Sequence, residues 1–240
     1  MKVHVVGAGP GDPELITVKG LRLIAEADIV VLDRLVPKEL GGEKSVPISS
    51  LQDPVRFMAV NAREGRKVVW LKNGDPSVFG RLLEVCAELS QWGVQCEVVP
   101  GVSSAIAVPE LFGIPLTLPG VHSFTVLTAV KRGREALSSK EIPRCGTLVI
   151  LMGLGVIGHL KRELLKVRDP DEGVAVLSWS GESRMEAVGN LRDLDRLSSG
   201  FKPPAVIVVG EGVKKRVPFA VEEPSLNERS CLRANSVMGD

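Results

Sequence analysis

The feature that most constrains the fold is an alternation of short apolar strands and amphipathic helices in the first half of the chain. Each strand-like run consists mainly of apolar residues, as is typical of a buried strand, and is followed by a run with helical periodicity. This alternation predicts a mostly parallel sheet that helices cover on both faces. The predicted strands are Val3–Val6, Ile29–Leu32, Lys67–Leu71 and Cys96–Val99, and the predicted helices are Thr17–Ala27, Pro54–Glu64, Phe79–Gln91 and Ser103–Leu111.

The second half of the chain predicts a mixed sheet with fewer helices. The segment Gly113–Gly120 holds two prolines and two glycines, which is typical of a hinge. We therefore expect α/β domains over residues 1–117 and 118–220, and a polar tail over residues 221–240. The predicted elements beyond the hinge are strands Phe124–Thr128, Thr147–Leu151, Gly173–Trp179, Met185–Gly189 and Ala205–Val209, with one helix, Gly155–Lys166.

Composition excludes several classes of function. The net charge of +1 gives no basic field that would recruit nucleic acid. No apolar run reaches the roughly 18 residues that cross a membrane. The four cysteines form no CxxC pair and the three histidines show no ligand spacing. We therefore expect neither a disulfide framework nor a bound metal, and a reducing cytoplasmic location.

The opening loop, Val6–Glu14, follows the first predicted strand and reads VGAGPGDPE. A dinucleotide fingerprint needs a glycine at its sixth position, where this loop has Asp12. A carboxylate there would repel a pyrophosphate, and Pro10 lacks the N–H that a phosphate cradle uses. The loop therefore suits a ligand other than a phosphate.

Two further glycine-bearing loops follow strands at the same edge of the predicted sheet, where ligands of such sheets bind. The Asn73 loop (residues 73–81) carries Asp75, which could accept from a ligand ammonium or simply cap the next helix. The Gly101 loop (residues 100–104) ends in two serines, which could hold a ligand carboxylate or cap a helix. Asp33 and Arg34 lie at this edge too, either as a proton acceptor and a carboxylate-binding guanidinium or as a solvated surface pair.

Two features of the second half have a similar ambiguity. The basic segment 131–134 is either a solvated charge run or a docking point for a polyanionic substrate. Met152 follows a strand and could belong to the core or contact an adenine ring.

Taken together and in order, these motifs resemble the tetrapyrrole methylases over nearly the whole chain except the tail. The matching segments are Val6–Thr17, Ala27–Val36, Leu71–Arg81, Val98–Ala107, Gly113–Thr117, Leu151–Gly153 and Pro204–Glu211. The resemblance implies two α/β domains with the active site in the cleft between them. It also implies S-adenosyl-L-methionine as the cofactor and S-adenosyl-L-homocysteine as the product.

The resemblance further implies which residues form the site. The cofactor-binding residues would be Pro10, Asn73, Gly74, Asp75, Val78, Ser103, Ser104, Met152, Gly181 and Ala205. Asp33 matches the position of the family's proton acceptor, and Arg34 would hold substrate carboxylates. S-adenosyl-L-methionine has no phosphate and carries a cationic sulfonium and an ammonium. Such a cofactor would explain why the opening loop contains carboxylates and a proline.

The sequence of the segment Asp33–Val36 resembles that of the family members that methylate uroporphyrinogen III. The implied reaction is C-methylation of this polycarboxylate tetrapyrrole at C-2 and C-7 to precorrin-2, by a homodimer that acts in cobalamin and siroheme biosynthesis. The chain departs from the family pattern at Leu32, Asn73, Leu82–Glu84, Leu118-Pro119 and the shortened segment Gly41–Ser50, where Lys44 is a weak substitute for the family's candidate proton donor. Methylation of a later precorrin, a dinucleotide-dependent oxidoreductase and a non-catalytic binding module therefore stay open as alternatives.

Overall fold

The computed structural model describes residues 1–131, 135–179 and 183–217. The chain divides into two compact units, of which the first comprises Met1–Ser103 and the second begins at Ser104. The predicted tail, residues 221–240, lies outside the described residues.

The first unit is a five-stranded sheet in which every neighbouring pair is parallel, in the order β3-β2-β4-β1-β5. The strands are β1 (Lys2–Gly7), β2 (Ile29–Leu32), β3 (Ser45–Pro47), β4 (Val68–Lys72) and β5 (Gln95–Val99). The helices are α1 (Val18–Glu26), α2 (Pro54–Arg63) and α3 (Leu82–Gln91). The parallel sheet predicted for this half is confirmed, and β3 is the strand that the sequence pattern did not reveal.

Alternating side chains of these strands build two apolar layers, because successive residues of a strand point to opposite faces. Val5, Val31 and Trp70 pack with α2 and α3 on one face. Val6, Leu32 and Leu71 pack with α1 on the other. Both faces are therefore buried, which leaves the carboxyl edge of the sheet for polar side chains.

The second unit is a five-stranded sheet in the order β6-β7-β10-β8-β9, and its predicted mixed character is confirmed. Only the pair β6–β7 is parallel among its described pairs. The strands are β6 (Phe124–Thr128), β7 (Thr147–Leu151), β8 (Gly173–Trp179), β9 (Arg184–Asn190) and β10 (Val206–Val209). The helices are α4 (Ser104–Leu111), α5 (Ile157–Leu165), α6 (Leu194–Leu197) and α7 (Glu211–Lys214).

The division between the units falls before α4, earlier than the boundary at residue 117 that the prolines and glycines predict. Helix α4 packs against β7, β8 and β10 and so belongs to the second unit. The turn-rich segment 113–120 therefore lies within that unit, since a cluster of glycine and proline marks a turn but does not show on which side the domains separate.

A disulfide joins Cys86 on α3 to Cys96 on β5, with the two Cα atoms 5.3 Å apart. The expectation of a chain without disulfides is wrong on this point. It relied on sequence spacing, whereas the pair meets because α3 packs directly beside β5. Among the described residues, no helix has the length and apolar character needed to cross a membrane.

Candidate active site

The opening loop and the Asn73 loop are joined by backbone hydrogen bonds at the carboxyl edge of the first sheet. Gly74 donates to the carbonyl of Gly9 at 2.7 Å, and Gly9 donates back to Gly74 at 3.3 Å. Ala8 donates to the carbonyl of Lys72 at 2.7 Å. The predicted meeting of these two loops is therefore confirmed.

The Gly101 loop enters the same cluster through close backbone contact. A Cβ atom on Gly7 would lie 2.5 Å from the Cα atom of Gly101 and 2.6 Å from the carbonyl oxygen of Gly74. Real Cβ atoms do not approach backbone so closely, so three loops meet where only glycine fits. The ends of β1, β4 and β5 thus form one compact backbone cluster.

The carboxylate of Asp75 ties the Asn73 loop to the Gly101 loop. One oxygen accepts from the backbone N–H of Ser77 at 2.8 Å and from the Ser77 hydroxyl, and the other accepts from the N–H of Gly101 at 3.0 Å. Burial disfavours the charge, but the hydrogen bonds from Ser77 and Gly101 outweigh it and hold the pKa of Asp75 below its ordinary value.

The alternative in which Asp75 caps the next helix is wrong. The N-cap residue of α3 is Arg81, and the intervening chain turns with positive φ angles of 55° at both Phe79 and Arg81. Non-glycine residues in this conformation are strained and cluster at functional sites. Val78, half-buried, lies just before this strained turn.

Pro10 is buried in the opening loop, while Asp12 has a local structural role. Asp12 caps a short 3₁₀ turn, Pro13–Leu15, by accepting from the N–H of Glu14 at 2.9 Å. The carboxylate that excluded a dinucleotide fingerprint therefore shapes the loop.

Asp33 lies at the same edge, at the end of β2, and forms an ion pair that the sequence motifs did not reveal. Its Oδ2 is 2.5 Å from the Nζ of Lys72, the last residue of β4. Its Oδ1 accepts from the backbone N–H of Arg34 at 2.9 Å, whereas the Arg34 side chain is exposed. The parallel register, which pairs Leu32 with Leu71, is the signal that could have brought Asp33 and Lys72 together.

The remaining predicted cofactor residues divide between the units. Ser103 closes the first unit and Ser104 begins α4 in the second. Met152 directly follows β7 and Ala205 directly precedes β10, and these two strand ends pair at Leu151 and Val206 in antiparallel register. Met152 is 52% exposed with a φ of 58°, so it is not a core residue. Gly181 lies outside the described residues.

Two other basic candidates make local contacts. Lys44 donates to the backbone carbonyl of Ala25 at 3.1 Å, which is a structural contact at the carboxyl-terminal end of α1. Lys131 pairs with Glu141 at 2.7 Å, and residues 132–134 lie outside the described residues.

A separate cavity of about 530 Å³ lies at the opposite, amino edge of the first sheet. Glu97 in its wall accepts from Lys2 at 2.7 Å and lies 3.0 Å from Lys19. Hydrogen bonds from these two lysines lower the pKa of Glu97 to about 2. Burial lowers the pKa of His4, which also lines the cavity. Glu97 and the two lysines thus pair with one another, away from the glycine cluster.

The architecture and the glycine cluster define an α/β protein whose ligand site differs from a phosphate-binding loop. A profile of the tetrapyrrole (corrin/porphyrin) methylases matches residues 2–195, and the chain belongs to this family. It is an S-adenosylmethionine-dependent methyltransferase acting on tetrapyrroles. The alternatives of an oxidoreductase and a non-catalytic module are therefore set aside.

Individual relatives cover most of the chain. The uroporphyrinogen-III C-methyltransferase of Methanocaldococcus jannaschii is 42% identical over 88% of this chain and 96% of its own length. The cobalt-precorrin-4 C(11)-methyltransferase of the same organism is 37% identical over 88% and 87%. The crystal structure of a uroporphyrin-III C-methyltransferase from Thermus thermophilus with S-adenosylhomocysteine superposes with a TM-score of 0.80, at 36% identity, over 90% of this chain and 100% of that one.

The donors and acceptors at the glycine cluster fit such a cofactor. The N–H groups of Ala8, Gly9, Gly74 and Gly101 all donate within the protein, so they do not form a phosphate cradle. The cluster can instead accept hydrogen bonds, because the Asp75 oxygen that accepts from the N–H of Gly101 retains a lone pair. Acceptors suit the ammonium and sulfonium of S-adenosylmethionine.

Proposed function

We propose that this protein transfers methyl groups from S-adenosylmethionine to C-2 and C-7 of uroporphyrinogen III, giving precorrin-2. The observation that carries the proposal is the ion-paired carboxylate of Asp33, held at the same sheet edge as the glycine cluster. The relatives named for uroporphyrinogen-III methylation support the choice of substrate.

In this proposal the cofactor residues act by shape and by charge. Pro10, Asn73, Gly74 and Val78 would contact the cofactor along the two joined loops, and Asp75 would accept from its ammonium while holding the Gly101 loop in place. Ser103, Ser104, Met152, Gly181 and Ala205 complete the set that the family resemblance assigns. The positions of Met152 and Ala205 at paired strand ends are compatible with a shared role at the adenine ring.

The bound cofactor supplies an electrophilic methyl group, and the chain's residues provide orientation and proton handling. A substrate ring that has received a methyl group at one of its carbons would have one proton to lose. Asp33 is placed to accept that proton because its carboxylate lies at the site edge beside Lys72 and is only partly buried. Arg34, exposed beside it, would pair with a substrate carboxylate.

Mass spectrometry of the product tests this assignment. The protein is incubated anaerobically with uroporphyrinogen III and S-adenosylmethionine that carries a ¹³C-labelled methyl group. We expect a product heavier by two labelled methyl groups. A substrate recovered without any label, from a protein that binds S-adenosylhomocysteine in calorimetry, would contradict the proposed substrate.

A second candidate is methylation of cobalt-precorrin-4. The 37% identity to the methyltransferase named for that substrate supports it. In the same assay, label on cobalt-precorrin-4 and none on uroporphyrinogen III would favour this candidate. The homodimer and the cytoplasmic location implied by the family resemblance stay predictions.

A further inference from the structure

We propose that Lys72 is a positioning residue for the reaction, which holds the carboxylate of Asp33 in the orientation that receives the substrate proton. The inference rests on the proposed role of Asp33 as proton acceptor. It assigns to Lys72 a role that none of the cofactor or catalytic motifs gave it.

The sheet itself fixes the pair. Strands β2 and β4 are parallel with Leu32 opposite Leu71, so Asp33 and Lys72 follow as the next two opposed positions on one face. The backbone N–H of Asp33 donates to the carbonyl of Leu71 at 3.0 Å, which continues the ladder to this point. Asp33 and Lys72 therefore meet through backbone register as well as through side-chain reach.

The surroundings of Lys72 leave its ammonium few other positions. Its side chain is 10% exposed, and its Nζ lies 4.3 Å from the centre of the Trp70 ring. On the other side of β4, the residue opposite Lys72 is Gly7, which has no side chain. A buried ammonium needs a counter-charge, and the 2.5 Å contact to Oδ2 of Asp33 provides it.

The carboxylate of Asp33 remains partly exposed despite its contact with Lys72. The side chain of Asp33 is 27% exposed. Its Oδ2 contacts Lys72 and its Oδ1 accepts from the backbone N–H of Arg34. Since a carboxylate oxygen can accept more than one hydrogen bond, each oxygen keeps further acceptor capacity.

Other charged groups near this edge do not replace Lys72. Strand β3, on the other side of β2, consists of Ser45, Val46 and Pro47 and carries no titratable side chain. The charged residues of the helices on this face are exposed: Arg56 and Arg63 on α2, and Glu84 and Glu88 on α3. Arg34 follows Asp33 in the chain, and its side chain is exposed. Among the described residues, Lys72 is thus the buried cation at Asp33.

The consequence is a specific loss of orientation. Without the ammonium at Oδ2, the side chain of Asp33 would rotate more freely and would occupy the proton-accepting position less often. Turnover should then fall, while cofactor binding should not change.

The experiment compares Lys72→Met, Lys72→Gln and Lys72→Arg with the control Lys67→Met, which removes an exposed lysine paired with Glu26. For Met and Gln we expect kcat to fall about tenfold or more, while the KM for uroporphyrinogen III stays within about threefold of wild type. Lys72→Arg should restore most of kcat. The dissociation constant of S-adenosylhomocysteine should stay within about threefold, and the control should match wild type.

A wild-type kcat in a folded Lys72→Gln protein would overturn the inference. A crystal structure of Lys72→Gln gives a readout without turnover. We expect the carboxylate of Asp33 to be displaced from its wild-type position, and an unchanged position would also overturn the inference. A wild-type protein that leaves uroporphyrinogen III unmethylated contradicts only the proposed substrate, because the position of the Asp33 carboxylate still decides the role of Lys72.

Discussion

At the scale of single residues, Asp75 shows how far a local motif determines a role. Its position in an Asn-Gly-Asp-Pro turn allowed a ligand contact or a helix cap. In the fold it accepts from Ser77, two residues away, and from Gly101, 26 residues away. The first contact follows from the local sequence, but the second requires that the ends of β4 and β5 meet at one edge of the sheet.

Asp33→Asn is the direct test of the proton acceptor. The amide keeps the size of the side chain but cannot take the proton, so we expect kcat to fall by about 10²- to 10⁴-fold. The affinity for S-adenosylhomocysteine, measured by calorimetry, should change little. Glu39→Gln, an exposed change in the following turn, serves as the control. If Asp33→Asn turns over at the wild-type rate, another group is the base.

At the scale of elements, the three loops work as one unit because glycine backbones replace side chains between them. The alternation of strands and helices predicts that the loops share an edge, and the glycines predict close approach. Which backbones touch depends on the strand order, in which β1 lies between β4 and β5. Gly7, at the end of β1, is therefore close to both neighbouring loops.

Gly7→Ala should disrupt this cluster. Its new Cβ would meet backbone atoms of Gly101 and Gly74, which cannot move aside as a side chain can. We expect a loss of more than about 2 kcal/mol in the free energy of unfolding and weaker binding of S-adenosylhomocysteine. Gly155→Ala is the matched control, since a Cβ there meets nothing within 4 Å. Equal stability of the two variants in urea denaturation would contradict the proposed packing.

The Cys86–Cys96 disulfide is a second element-scale feature, because it joins α3 to the strand that leads into the Gly101 loop. Closing a loop with a sequence separation of 10 should stabilise the fold by about 2–3 kcal/mol. Cys86→Ser should therefore lower the free energy of unfolding by that amount in oxidising buffer. Denaturation with and without a thiol reductant measures the effect.

Two comparisons complete the disulfide test. Cys145→Ser, which alters an exposed free cysteine, should leave stability unchanged. Reductant should destabilise wild type and have little effect on Cys86→Ser. Stability of wild type that is independent of reductant would show that the bond contributes nothing under these conditions.

At the scale of the whole molecule, charge balance sets the response to acid. The net charge is only +1, so local ion pairs matter more than a global field. Glu97 shows the direction: its pKa in the folded state is about 2, below the ordinary 4.5, because Lys2 and Lys19 donate to it. Its stabilising effect is therefore complete above about pH 4.5 and is lost as the pH falls toward 2.

Glu97→Gln should reveal this dependence in thermal denaturation between pH 2 and 7. At pH 7 we expect the variant to be less stable by about 1 kcal/mol or less, since its partners are largely exposed. The difference in Tm from wild type should vanish near pH 2. Glu88→Gln, an exposed change on α3, is the control. A difference that stays constant with pH would rule out ionisation of Glu97 as the cause.

The amino-acid sequence by itself determined most of the strands and helices in their order, the parallel and mixed character of the two halves, the three glycine-bearing loops and the family. These properties depend on local periodicity and on motifs of neighbouring residues. Only the tertiary structure decided that Lys72 pairs with Asp33, that Asp75 holds Gly101, that Cys86 meets Cys96 and that α4 belongs to the second unit. Each of these contacts joins segments far apart in the chain, and the register and order of the strands, which no local pattern specifies, bring them together.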